Sequence, residues 1–404
     1  MSSAAFLEML LDGATVEWIE VGDLISPQRG KRLVKSQLEE VGSYAVYQNS
    51  MTPLGYYHES NAKAGTTFVI VAGAAGEVGY SEFDFWAADD VYLFPAVNSV
   101  NKKYLYHFLL TKKHEISSQV RRASIPRLSI TAVEKLQIPI PCPGNPKKSL
   151  EIQAEIARIL DSFTELTAEL TAELTARKKQ YKHYRDQLLR FEGEDVEWRP
   201  LSEIGEFIRG KRFTKADYVE DGIPVIHYGE IYTRYGVFTD QAFSRVRSDL
   251  TNSLRYAEPG DVVIAGVGET VEDVGKAVAW IGNERVAIHD DSYAFRHSMN
   301  PKFVSYVMQT AAFIDEKAKH VSRGKVNRFL ISGLEKVRIP VPFPSDPYKS
   351  LTEQARIVEI LDKFDALTNS LTEGLPREIE LRQKQYEHYR DLLLNFSKPE
   401  ELAA

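Results

Sequence analysis

The sequence predicts an α+β protein in which two similar globular α/β domains are separated by two long helices, packed as an antiparallel coiled coil. The whole is an internal pseudo-twofold repeat. Three observations predict it. The chain is written twice, each copy opens on short β-rich runs broken by Gly and Pro, and each closes on an apolar stripe at helical spacing.

The duplication is read directly. GATVEW (Gly13 to Trp18) returns as GEDVEW (Gly193 to Trp198), and RGKR at Arg29 to Arg32 returns at Arg209 to Arg212, both at an offset of 180. EKLQIPIPCPGNPKKSL (Glu134 to Leu150) returns as EKVRIPVPFPSDPYKSL (Glu335 to Leu351) at 201. RKKQYKHYRDQLLRF (Arg177 to Phe191) returns as RQKQYEHYRDLLLNF (Arg382 to Phe396) at 205. Four collinear matches are not chance. The growing offset places 21 extra residues inside the second globular segment and four inside the second helix, one tetrad's worth.

Each half follows one plan. Runs such as TTFVIVAG and DVVIAGVG read as strands ended by turns. The Pro-rich exits IPIPCPGNP and IPVPFPSDP read as rigid, non-helical linkers. Ser149 and Ser350 then offer N-caps for the long helices.

In the first helix the stripe runs Ile152, Ile156, Ile159, Phe163, Leu166, Leu170, Leu174, then Tyr181, Tyr184, Leu188 and Phe191. Steps alternate between four and three except at TELTAELTAELTA (Thr164 to Ala176), where two four-residue steps follow one another. That is a heptad seam with a stutter. The second stripe runs Ile357, Ile360, Phe364, Leu367, Leu371, Leu375, Ile379, then Tyr386, Tyr389, Leu393 and Phe396, and Gly374 and Pro376 predict a break within it. The stripes predict that the two helices pair. The plainer alternative is that each packs on its own globule.

Composition narrows the function. At 404 residues, 43% hydrophobic and 26% charged, the chain is long enough for two or three ordinary cores. No apolar run suffices to span a bilayer and no signal-peptide pattern opens the chain. The single cysteine, Cys142, excludes an internal disulfide and a cysteine-rich metal site, and it reads as structural. A reducing cytoplasm is the expected compartment. The net charge of −7 argues against a sequence-blind nucleic-acid binder, but the charges are segregated. Residues 151 to 175 carry six acids against Arg158 alone, whereas KAKHVSRGKVNR (Lys317 to Arg328) carries five Lys/Arg and no acid. Basic patches on an acidic frame bind polyanions locally.

Catalytic motifs are not found. GAAGEVG (Gly73 to Gly79) and GVGETVEDVGK (Gly266 to Lys276) lack the spacing of a phosphate loop or a dinucleotide turn, so they read as turns or bulges at strand ends. Neither an H-E-x-x-H helix nor a G-x-S-x-G elbow occurs, and NPKK and DPYK are not the N-P-P-[YF] loop of a base-flipping methyltransferase. His289 to Asp291, HDD, reads as a polar cluster or a DNA-facing loop without a counterpart in the first half. No catalytic residue and no metal ligand is assigned.

Basic clusters, by contrast, recur in register. Arg29, Lys31 and Arg32 match Arg209, Lys211 and Arg212, and Arg121, Arg122 and Arg127 match Arg323, Lys325 and Arg328. Between them lie polar and aromatic loops, YAVYQNSMTPLGYY with Tyr47, Gln48 and Asn49, and IPVIHYGEIYTRYG with His227, Tyr228 and Glu230. Phosphates call for Lys and Arg, and base edges for side chains with fixed donors and acceptors. All eighteen residues are candidate DNA contacts. The plainer alternative for any one of them is a solvated surface group.

The junctions IPIP…KSLEIQAEIARIL and IPVP…KSLTEQARIVEIL, the TAEL tetrads, and the helix ends KQYKHYRDQLL and KQYEHYRDLLL carry a family resemblance. Over its whole length the chain resembles the specificity subunit of type I restriction–modification enzymes, and the tetrads resemble the type IC branch. The resemblance implies a target-recognition domain at residues 1–147, a central spacer helix at 148–192, a second recognition domain at 193–348 and a C-terminal spacer helix at 349–404. It implies that each domain reads one half of a split double-stranded DNA site. It further implies that two modification subunits, holding S-adenosylmethionine and the methyl-transfer residues, dock on the chain. Restriction subunits that use ATP and Mg would join them, so this chain would hold no cofactor and perform no catalysis.

The tetrads then acquire a physical meaning. Four helical residues advance about 6 Å and turn about 40° beyond a full turn, while one base pair advances about 3.4 Å and turns about 35°. One tetrad therefore corresponds to about one spacer base pair, with the rotation matching better than the translation. Two complete TAEL units follow TEL, which resembles the shorter-spacer form and predicts a spacer of about six base pairs. A self-contained DNA methyltransferase and a coiled-coil scaffold that binds no DNA are the alternatives.

Overall fold

The computed structural model describes residues 11, 13–191, 193, 195–370 and 373–396. Leu371 of the second stripe, Glu194 of the second GEDVEW copy, and the outer ends 1–10 and 397–404 of the expected domains lie outside them. The chain forms two compact units, one of residues 1–170 and 379–404, the other of residues 171–378.

In the first unit a four-stranded sheet has the order Gln28–Arg29, Val91–Phe94, Thr66–Ile70, Val78–Ser81, all neighbours antiparallel. The strand TTFVI is buried on both faces, which is why it reads as an uninterrupted apolar run. Val69 faces one core with Tyr104, Phe108 and Leu109 of the helix Lys102–Thr111. Phe68 and Ile70 face a second core with Phe85 and Ala87. A smaller sheet, Gly55–Tyr57, Tyr44–Tyr47 and Trp86–Ala87, stands beside it.

The second unit repeats the scheme with Gly205–Arg209, Ser292–His297, Val262–Ala265 and Ala277–Trp280, and adds Phe238–Thr239 as a fifth strand. Val262 and Ile264 again serve one core, and Val263 and Ala265 another. The added strand and the helix Tyr228–Thr233 lie within the longer second globule that the offsets predict. The polar aromatic segments expected as loops are thus in part strand and helix.

The Pro-rich exits are strands, not linkers. Gln137–Pro141 pairs antiparallel with Val16–Glu20, and Arg338–Pro342 with Val196–Pro200. The bonds Cys142 N–H to Thr15 O (2.8 Å) and Val21 N–H to Leu136 O (2.9 Å) fix which pairs exchange hydrogen bonds. By alternation, Pro139 opposite Trp18 and Pro141 opposite Val16 fall on non-bonded pairs, where a missing N–H forfeits nothing. Pro340 and Pro342 occupy the same phase.

The expected caps shift as well. The central helix runs Pro146–Leu188, and Asn145 Oδ1 accepts from the Lys148 amide at 3.1 Å. Asp346 caps the helix Pro347–Asn369 through the Lys349 amide at 3.0 Å, with Pro347 at the first turn. Ser149 and Ser350 are buried one turn inside and bind Gln153 and Gln354 instead.

Both expectations for the stripes hold within each unit. In the first, Ile152, Ile156, Ala157 and Leu160 join the domain core, and so do Tyr386, Leu393 and Leu394 from the C-terminal helix Gly374–Leu394 and Phe396 just after it. Phe163 stacks on Tyr389 at 5.2 Å. In the second, Tyr181 and Leu189 share a core with Ile357, Val358 and Leu361, and Tyr184 stacks on Phe364 at 5.7 Å.

The tetrads stay helical. Leu166, Leu170 and Leu174 are half-buried while Glu165, Glu169 and Glu173 are exposed. Thr167 and Thr175 satisfy their hydroxyls on the carbonyls four residues back. The predicted break is present, since one helix ends at Asn369 and the next begins at Gly374, whose φ of +76° suits glycine.

Candidate nucleic-acid interface

Backbone hydrogen bonds draw the separate sequence clusters of each unit together. In the first, Arg29 ends the strand Gln28–Arg29, and its Nε donates to the Asp89 carbonyl at 2.8 Å. Lys31 N–H donates to Ala87 O at 2.9 Å, and Trp86 Nε1 donates back to Lys31 O at 3.0 Å. Ala88 N–H then reaches Tyr47 O, and Ala74 N–H reaches Asn49 O, both at 2.9 Å. Gly73 N–H reaches Pro126 O at 3.1 Å, and Arg121 and Arg127 exchange paired bonds at 2.8 and 3.1 Å. One continuous path therefore joins RGKR, the Tyr47–Asn49 turn and the hairpin RRASIPR.

The second unit builds the same path. Arg209 Nε donates to Asp290 O at 2.9 Å, and Lys211 N–H to Ile288 O at 3.0 Å. His289 N–H reaches Ile226 O at 3.3 Å, next to His227, and Gly266 N–H reaches Asp291 O at 2.7 Å. Asn327–Arg328 pairs with Val267–Gly268, and Ser322 and Arg328 close the hairpin with two bonds of 2.9 Å. The equivalence of Arg29–Asp89 and Arg209–Asp290 corrects one reading. The acid pair of HDD does have a first-half counterpart, Asp89 and Asp90, and only His289 is new.

RGKR needs its glycine in both copies. A Cβ at Gly30 would collide with the carbonyls of Ala87 and Ala88, and one at Gly210 with those of Ile288 and His289. The backbone must cross the two residues before the acid pair closely to present the cations beyond them.

The cations are exposed. Lys31, Arg32, Arg121, Arg122, Arg127, Lys211, Arg212, Arg323 and Lys325 all face solvent. Among the described residues none of the nine has a carboxylate within ion-pair distance. Arg328 alone of the basic candidates approaches one, with Nη1 3.6 Å from Asp291 Oδ1. Unneutralised cations on an ordered frame are what phosphate binding requires.

The polar candidates divide. Gln48 is half-buried and Asn49 exposed. Tyr47 packs its ring on Phe68 and Phe85 at 5.1 and 5.6 Å, and Tyr228 lies against the core around Ile226. Glu230 has structural work: Ser244 Oγ donates to it at 2.5 Å and the His227 amide at 3.2 Å. His227 is held below its ordinary pKa, first by burial and then by the neighbouring His289 ring, so it is neutral at pH 7. Its Nδ1 accepts from Gly229 N–H at 3.1 Å, which leaves Nε2 as the protonated donor. Arg255, missed in the sequence, donates to Arg209 O at 3.2 Å from 46 residues away.

The glycine-rich segments are turns at strand ends, as expected. Their amides are committed internally: Gly73 to Pro126 O, Gly76 to Ile70 O, Gly266 to Asp291 O and Gly275 to Ala265 O. They do not form a phosphate cradle. The HDD groups lie within 4.8 Å of one another, with His289 Nδ1 against Asp290 at 3.1 Å and accepting from Asp291 N–H.

Comparison with known proteins places this arrangement. The family model for the type I restriction modification DNA specificity domain matches residues 14–177 and again 193–381, most of the chain. The chain belongs to this family. It is 38% identical to the specificity subunit of the type I restriction enzymes EcoR124I and EcoR124II of Escherichia coli, over 99% of each chain. It is 33% identical to a putative type I restriction enzyme specificity subunit of Haemophilus influenzae, over 98% of this chain and 100% of that one. The solved type I S subunit from M. genitalium shares the fold, with a TM-score of 0.57 at 16% identity, over 96% of this chain and 98% of that one. The protein is thus a DNA specificity subunit of a type I restriction–modification system. No helix among the described residues is long and apolar enough to cross a membrane.

Proposed function

We propose that each unit of this specificity subunit reads one half of a bipartite double-stranded DNA site, and that the helical segments set the gap between the halves. The observation that carries the reading is the repeated frame, in which a basic strand end, a polar segment (a turn in the first unit, a helix start in the second) and a basic hairpin are joined by hydrogen bonds to backbone carbonyls in both units. Arg29, Lys31, Arg32, Arg121, Arg122 and Arg127 serve one half-site. Arg209, Lys211, Arg212, Arg323, Lys325 and Arg328 serve the other. Gln48, Asn49 and His227 are the polar groups placed to meet base edges.

The chain does this as a non-catalytic subunit in the cytoplasm. Two modification subunits hold S-adenosylmethionine and perform adenine methylation, and restriction subunits hold ATP and Mg. The internal commitment of the Gly73, Gly76, Gly266 and Gly275 amides supports that division, because it withholds those four donors from a nucleotide phosphate. The tetrads fit a gap of about six base pairs.

The test is binding and methylation by the full chain assembled with its modification subunits. Methylated-adenine sequencing returns a split motif with a fixed gap, and affinity for a duplex carrying it falls steeply as salt rises. A salt-independent affinity, or an uninterrupted motif, contradicts the reading.

A further inference from the structure

The two basic hairpins share a feature that phosphate binding does not use. Ile125 at the tip of RRASIPR is 53% exposed, and Val326 at the same place in SRGKVNR is 47% exposed. Isolated exposed aliphatics are ordinary, but these two sit at equivalent positions of both repeats, each among cations. The residue after each tip is anchored. Pro126 O accepts from Gly73 N–H at 3.1 Å, and Asn327 is buried with its Nδ2 donating to Glu269 O at 2.8 Å. The hairpins are closed by paired backbone bonds, so the apolar tip is held out from a fixed base.

We infer that Ile125 and Val326 are specificity-determining residues, each contacting the C5 methyl of a thymine in the major groove of its own half-site. This rests on the proposal that each unit reads one half-site. Each hairpin is a seven-residue loop closed by a single bridge, no wider than the two-stranded ribbon that the major groove admits; the thymine methyl is the apolar mark displayed there, and the flanking Arg and Lys reach the phosphates on either side. The minor groove offers no methyl group. Ser124 and Lys325 precede the two tips, so the hairpins share the aliphatic position while differing in charge beside it.

The experiment uses the full chain with its modification subunits and duplexes of the mapped motif in which each thymine is replaced singly by uracil, which removes only the methyl. For the unsubstituted protein, one uracil in one half-site weakens binding about fourfold. That loss vanishes in Ile125→Ser and persists in Ile125→Val. A second uracil-sensitive position, in the other half-site, vanishes only in Val326→Ser. Uracil sensitivity unchanged in both Ser variants overturns the inference. So does weaker binding by the Ser variants without uracil sensitivity in the parent, which would make the tips wedges between base steps. Absence of any split motif for the parent complex instead defeats the half-site reading itself.

Discussion

Gln153 fastens the long helix to the globule through Asn101, whose backbone N–H donates to Gln153 Oε1 at 2.8 Å. Asn101 in turn caps the helix Lys102–Thr111 with its own side chain. Gln153 Nε2 donates to Ser99 O and Ser149 Oγ, both at 3.1 Å, so the buried amide is satisfied at both ends. Gln354 does the same for Asn300 at 2.8 Å. A second clasp repeats beside each: Lys103 and His107 on Asp161, Lys302 and Tyr306 on Asp362. Each globule is thereby fixed on its helix in rotation as well as position.

Replacing Gln153 or Gln354 by Leu should therefore destabilise the chain by about 1–3 kcal/mol, because a buried N–H loses its acceptor while volume is kept. Chemical denaturation checks this. A midpoint equal to that of the parent would show that the clasp is dispensable.

Gly30→Ala and Gly210→Ala should each disturb one basic frame, since the added methyl meets carbonyl oxygens that cannot withdraw. Hydrogen exchange of the Lys31 or Lys211 amide reads the effect, and faster exchange is expected only in the unit carrying the change. Unchanged protection in both would refute the close-crossing argument.

His297 sets an acid limit on the second unit. Burial lowers its pKa from 6.5 to about 4, with Nδ1 accepting from Met299 N–H at 3.2 Å. In the unfolded chain the ring protonates near 6.5 while the folded one stays neutral. Its stabilising share is thus complete above 6.5 and lost as pH falls towards 4, by about 3 kcal/mol at most. The urea midpoint should drop more between pH 7 and 4.5 for the parent than for His297→Leu. Equal drops would count against it. Ala96 occupies the corresponding place in the first repeat, so no matching limit arises there.

Arg121→Ala with Arg122→Ala should weaken recognition of one half-site, and Arg323→Ala with Lys325→Ala the other. Binding to duplexes scrambled in one half at a time separates them. Equal loss on both half-sites from either pair would contradict one unit per half-site.

Much of this was legible in the sequence. The duplication, the stutter and the break at Gly374 are local patterns, and local patterns survive folding. The Pro strands are hidden in the sequence because proline reads as a breaker, although prolines at alternate positions, as in Pro139 and Pro141, leave every required N–H in place. The helices start four residues earlier than the serines suggest, at Asn145 and Asp346 rather than Ser149 and Ser350. The better signal was Asn145 or Asp346 directly before a proline. The basic clusters were legible as charge, but their convergence was not. It depends on contacts such as Arg29 to Asp89, sixty residues apart, which no short window contains.

The central claim is that helix length sets the gap between two independently read half-sites. Deleting Thr171 to Leu174, one TAEL tetrad, and mapping methylated adenines in cells expressing the shortened chain with its partners tests it most directly. The account predicts both half-site sequences unchanged and a gap about one base pair shorter. An unchanged gap, or an altered half-site sequence, would contradict it.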